Sequence, residues 1–103
     1  MSDIVNIYKE IFPNLTQYEG CILWGILKNK TVKDKHGKEM SGTFRYIGDI
    51  ISQVTGEGDY LTYYMSDRVT KMMLETIGVD CRAIERRLLA KLENAGVTIE
   101  EYQ

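Results

Sequence analysis

"TQYEGCILWGILKNK", residues 16–30, is the stretch whose reading decides the fold. Thr16 and Glu19 stand three apart, the spacing of a capping box, in which each side chain satisfies a backbone N–H of the first helical turn. That pattern predicts a helix. Gly20 and Gly25 oppose it weakly, at roughly 1 kcal/mol each relative to alanine. Apolar residues run all round the segment, so periodicity does not arbitrate. A buried helix is the favoured reading, with the glycines admitting another helix close past Trp24. A central β-strand over residues 21–27 is the alternative.

The segments on either side read as helices. Ser2 can cap the first, and Asp3 suits the positive end of its dipole. Ile4, Ile7, Tyr8 and Ile11 follow at the spacing of one helical face. Pro13 stops it, because the residue before a proline is pushed out of helical geometry. Phe12 and Leu15 flank the break and are expected inside. Beyond the decisive stretch, residues 28–42 are polar and basic. "DKHG" suits a turn, with Gly37 as its left-handed residue. This region reads as a solvated loop or a small hairpin, residues 31–33 against 39–41.

Helical spacing returns with Phe44, Ile47, Ile51 and Val54, with Ile50 beside them, and Gly56 ends that helix. Asp59 can cap a short helix over residues 60–65. Ser66 can cap the next, with Val69, Met72, Met73 and Ile77 as its inward face, and Gly78 ends it. Asp80 caps the last helix, with Cys81, Ile84, Leu88, Leu92 and Ala95 inward, and Gly96 ends that one. The acidic tail from Val97 can be extended. No internal repeat or low-complexity tract stands out. The expectation is an all-α single domain over residues 1–103: five or six short helices at steep angles, with room for a small hairpin near residues 31–41.

Composition narrows the class. A chain of 103 residues is one domain by size. No apolar run approaches the ~20 residues needed to span a bilayer. The start, "MSDIVNIYKE", lacks the basic, then apolar, character of a signal peptide. A cytoplasmic protein is therefore expected. Cys21 and Cys81 lie far apart, and a single histidine cannot complete a Cys/His zinc site, so no metal is assigned. Two buried thiols are expected instead.

Net charge is −2 and unevenly spread. Residues 28–46 carry +4 and residues 81–92 carry +3, separated by −4 over residues 47–80. The overall acidity argues mildly against a dedicated nucleic-acid binder.

"LETIGVDCRAIERRLLAKLENAGV", residues 74–97, nevertheless resembles the helix-turn-helix of bacterial regulators and the third helix of winged-helix domains. Ile77, Gly78, Val79 and Asp80 match the turn, Ile84 the buried position of the second helix, and Leu92 to Gly96 the closing "Leu-Glu-x-x-Gly". The resemblance covers about a quarter of the chain. It departs from the pattern at Leu74, where a small residue is usual, and at Arg87, near a position that is often apolar. No hairpin wing follows Gly96. The resemblance implies that Arg82, Arg86 and Arg87 would meet DNA, with Lys33 and Lys35 adding phosphate contacts.

"TGEGDYLTYYMSDR", residues 55–68, is the other candidate. "GEGD" lacks the lysine of a P-loop and the setting of a dinucleotide fingerprint. It reads as a turn. Tyr60, Tyr63 and Tyr64 share one helical face, which suits a core or an interface with one wet edge. Catalysis has thin support: His36, the only histidine, lies in a lysine-rich loop, and the acids Glu57, Asp59 and Asp67 have capping or solvent roles.

The favoured function is a small non-enzymatic binding protein without a cofactor. It would dock on a protein partner through Tyr60, Tyr63, Tyr64 and Asp59, with Arg45 and Arg68 nearby, and a homodimer fits that character. Compact acidic chains of this kind serve as adaptors and inhibitors, including those of phages and mobile elements. The alternatives are a DNA-binding regulator using residues 80–96, and a nucleotide-binding protein in which a tyrosine stacks on a base and Arg45 or Arg68 meets a phosphate.

Overall fold

A computed structural model describes residues 2–40, 44–55 and 67–101. Along these the chain runs α1 (Ser2–Ile11), α2 (Gln17–Leu27), β1 (Lys30–Lys33), α3 (Phe44–Thr55), α4 (Asp67–Thr76), α5 (Cys81–Asn94) and β2 (Thr98–Glu101). The molecule is mostly helical, with one two-stranded antiparallel sheet.

The decisive stretch is a helix. The Thr16 hydroxyl accepts from the Glu19 N–H at 3.3 Å, and the Thr16 N–H donates to Glu19 Oε1 at 3.0 Å, which closes the capping box. Gly20 through Trp24 and Leu27 are buried. The helix packs against α3, α4, α5 and β1, and a helix covered on so many sides needs apolar residues all round. Lys28 then turns extended, and Asn29 takes φ 60. Asparagine tolerates that left-handed geometry better than most residues, and the chain reverses there into β1.

The sheet adds to a mostly helical fold a small β element that the all-α expectation did not include. β1 pairs with the acidic tail: Lys30 faces Glu101, Val32 faces Ile99 and Lys33 faces Thr98. Val32 is fully buried, and Lys30 Nζ lies 2.7 Å from Glu101 Oε1. The expected hairpin exists only as a remnant on the other edge of β1. Lys33 bridges Glu39, and the Met40 N–H donates to the Val32 carbonyl at 2.6 Å. Its turn is held by Asp34, whose carboxylate accepts the N–H groups of His36 at 2.9 Å and Lys38 at 2.8 Å. The buried Tyr8 hydroxyl donates to the Met40 carbonyl at 3.0 Å and ties α1 to this strand.

One core joins these elements. Val5 and Tyr8 enter from α1 and Phe12 from just past its end, Ile50 and Ile51 from α3, and Ile84, Leu88 and Leu92 from α5. Both cysteines are buried free thiols, and burial pushes the Cys21 thiol up. No helix among the described residues is long and apolar enough to cross a membrane.

Candidate interaction surface

α4 and α5 end in the same way, and that shared ending orients both. In α4 the Val79 N–H donates to the Leu74 carbonyl at 3.0 Å and the Gly78 N–H to the Glu75 carbonyl at 3.0 Å. In α5 the Val97 N–H donates to the Leu92 carbonyl and the Gly96 N–H to the Glu93 carbonyl, each at 3.0 Å. Both sets are the hydrogen bonds of a Schellman motif, which needs a left-handed residue after the helix. Gly78 at φ 87 and Gly96 at φ 78 supply it. The sequence repeats accordingly: Leu74-Glu75-Thr76-Ile77-Gly78-Val79 and Leu92-Glu93-Asn94-Ala95-Gly96-Val97 share Leu-Glu-x-x-Gly-Val. The repeat is short, and it escapes a search for longer periods.

Leu74 and Val79 both pack against the core. With roughly 100° between successive helical residues, Leu74 and Lys71 inside turn Val69, Met72 and Met73 to the far side of α4, and Ile77, just past its end, falls at the flank. The expectation that these four form an inward face is therefore corrected. Val69 is 45 % exposed, Met72 60 %, Met73 59 % and Ile77 75 %. Thr76 lies in the same stripe, and its hydroxyl donates to the Met72 carbonyl at 2.8 Å.

α5 carries the basic residues singled out for DNA. Asp80 caps it by accepting from the Ala83 N–H at 3.1 Å. Arg82 and Arg86 are exposed on its outer side. Arg87 is instead engaged by Glu19 of α2. Burial works to raise the Glu19 pKa, but the Thr16 hydroxyl, the Thr16 N–H and the Arg87 guanidinium outweigh it and hold the carboxyl below its usual range. Lys71 and Glu85 form a second pair, between α4 and α5.

Lys33, on β1, is half-buried, whereas Lys35 is exposed. Lys35 lies against the far end of α5: a Cβ placed on Gly96 would fall 2.8 Å from Lys35 Cβ. At 1.5 Å per residue, Gly96 and Arg82 are about 20 Å apart along the chain axis. The basic loop and the arginines therefore do not converge on one spot. A cleft of about 600 Å³ opens where the loop meets the ends of α1 and α5. Its lining sets Lys35 and Lys91 against Glu10 and Asp34. Those charges balance, while the negative ends of two helix dipoles converge there as well and tilt the cleft toward positive charge.

Asp59, Tyr60, Tyr63 and Tyr64 lie outside the described residues. Arg45 and Arg68 fall on α3 and α4, and their side chains are likewise outside the description. Among the described residues no group of three or more His, Cys, Asp or Glu side chains is placed to hold a metal ion.

No protein-family model matches the chain, and no curated protein and no solved structure matches it either.

Proposed function

We propose that this is a small non-enzymatic interaction protein that docks on a protein partner through the outward face of α4. The observation that carries the reading is the exposure of Val69, Met72 and Met73 along the outward side of the ten-residue α4, with Ile77 exposed just past its end. The four together expose on the order of 400 Å², within the size of the largest apolar patch on an ordinary monomer, which is often functional. Methionine suits such a surface because its unbranched, polarizable side chain adapts to different partners. Tyr60, Tyr63 and Tyr64 stand just before α4 in the sequence, and we assign them to the same surface on that ground.

The reading is tested by selecting amphipathic helical peptides that bind the intact protein and mapping them by amide chemical shifts. Selected peptides are expected to move the signals of Val69, Met72, Met73 and Ile77 and to lose binding to Met73→Glu. Peptides that map to other faces and bind the variant equally well would refute it.

A second reading has its own support, the exposure of Arg82 and Arg86 on α5, whose sequence resembles the second helix of a helix-turn-helix. In that reading the protein is a DNA-binding regulator. Duplex affinity would then fall steeply with salt, and R82A/R86A would weaken it without lowering thermal stability. Equal affinity in the double variant would dismiss it.

A further inference from the structure

We infer that the cleft between the lysine loop and the ends of α1 and α5 is a binding site for a short apolar peptide with both ends free, a zwitterion with an apolar body. The inference does not depend on the α4 face.

The cleft is preformed, because its walls are pinned. The buried Tyr8 hydroxyl donates to the Met40 carbonyl and fixes α1 against the return limb of the loop. Asp34 holds the turn of the loop through the N–H groups of His36 and Lys38. Lys35 then lies so close to the end of α5 that a Cβ on Gly96 would fall 2.8 Å from its own. A pocket that exists before its ligand arrives needs little binding energy for ordering. At about 600 Å³ it has the size of a small-molecule site.

The floor is apolar. Ile7 and Ile11 come from α1, Ala95 and Val97 from the turn that closes α5, and all four are half-buried. The apolar body of a ligand covers area that water now touches, which favours binding in proportion to that area.

The rim carries both signs of charge. Glu10 lies on α1, Lys91 on α5 and Lys35 on the loop. Among the described residues none of these three makes an ion pair. They share one cleft without satisfying one another, so a ligand with two opposite ends meets partners for both. The two helices sort the ends. The Leu92 and Glu93 carbonyls of α5 are taken by the N–H groups of Val97 and Gly96, whereas Pro13 has no N–H to offer the end of α1. Glu10 and the negative end of the α1 dipole therefore receive the ammonium, and Lys35 and Lys91 receive the carboxylate. A simple cation would meet the two lysines, and a simple anion would meet Glu10 and Asp34. Neither fits this rim as a zwitterion does.

Titration of the intact protein with the tripeptide Leu-Ala-Leu, followed by amide chemical shifts, tests the inference. The peptide should move the signals of Ile7, Ile11, Ala95 and Val97, with dissociation at about 1 mM, the scale of a cleft whose charged rim stays wet. N-acetylation removes the ammonium and C-terminal amidation the carboxylate. Each should weaken binding about threefold or more, the scale of one exposed ion pair. Glu10→Gln should weaken the free peptide by a similar factor and leave the acetylated one as it is, since that form has no charge for Glu10 to meet. Lys91→Gln should do the same with the amidated form. Glu93→Gln, on α5 outside the cleft, should change nothing. All three positions are exposed, so the variants should fold, and the capped peptides test the claim on the unaltered chain in any case. Cleft signals that stay fixed up to about 20 mM peptide, well above the expected dissociation constant, overturn the inference. So does a capped peptide that binds as tightly as the free one. Shifts at Met72 and Met73 instead of the cleft would assign the peptide to α4 and overturn it as well.

Discussion

Glu19 joins the start of α2 to the side of α5, so one carboxylate serves a cap and an ion pair. Replacing it with glutamine keeps an acceptor for the Thr16 N–H but removes the charge, and should cost up to about 1 kcal/mol, the scale of a partly exposed ion pair. The pH dependence has a definite sign. The folded carboxyl is held below its ordinary value, so on the acid side the unfolded chain binds more protons than the folded one. The stabilisation is present in full above the ordinary glutamate pKa of about 4.3. It is lost as pH falls through the folded value. Urea titrations between pH 2 and 7 should show a flatter acid limb in Glu19→Gln than in the unaltered chain. The two Schellman glycines separate strain from crowding. Gly78→Ala adds a methyl in open space at φ 87 and should cost about 1 kcal/mol of left-handed strain. Gly96→Ala carries the same strain and also presses on Lys35 Cβ at 2.8 Å, so it should lower the melting temperature further. Equal losses would mean that the loop yields freely.

The elements differ in how far local sequence declared them. The capping box announced α2, because both of its partners lie within four residues. Cys81, Ile84, Leu88 and Leu92 were legible as the inner face of α5, since their spacing is continuous and only Leu89 stands off it. The rotation of α4 was harder to read. Its apolar residues fit an inward face by spacing, yet the Leu74–Val79 ending decides which side turns in. The signal was present in the repeated Leu-Glu-x-x-Gly-Val, whose first member goes inside in both helices. β2 was hidden for a different reason. Four residues with one half-buried side chain carry almost no alternation, and their partner strand lies about seventy positions earlier. Ile99→Ala, facing buried Val32, should cost about 1–2 kcal/mol in chemical denaturation, toward the low end for a half-buried side chain. Glu101→Ala removes a surface ion pair at 2.7 Å and should change stability by less than about 1 kcal/mol. A larger loss in the second variant than in the first would contradict this view of the sheet.

At the scale of the whole molecule, two basic segments looked able to merge into one nucleic-acid surface. The fold instead carries the lysine loop to one end of α5 and leaves Arg82 near the other, while Arg87 is engaged by Glu19. Charge blocks in a sequence give no direction in space, which is why their relation could not be read there. The apolar face of α4 remains the surface with the plainest claim on a partner. Methionine methyl NMR during titration with a selected amphipathic helical peptide tests that claim most directly, because the chain carries its own control. Met72 and Met73 are exposed on the stripe, whereas Met40 is fully buried. On addition of the peptide, the methyl signals of Met72 and Met73 should shift along a binding curve while that of Met40 stays fixed. Methyl signals of Met72 and Met73 that stay fixed while the peptide binds would contradict docking through α4.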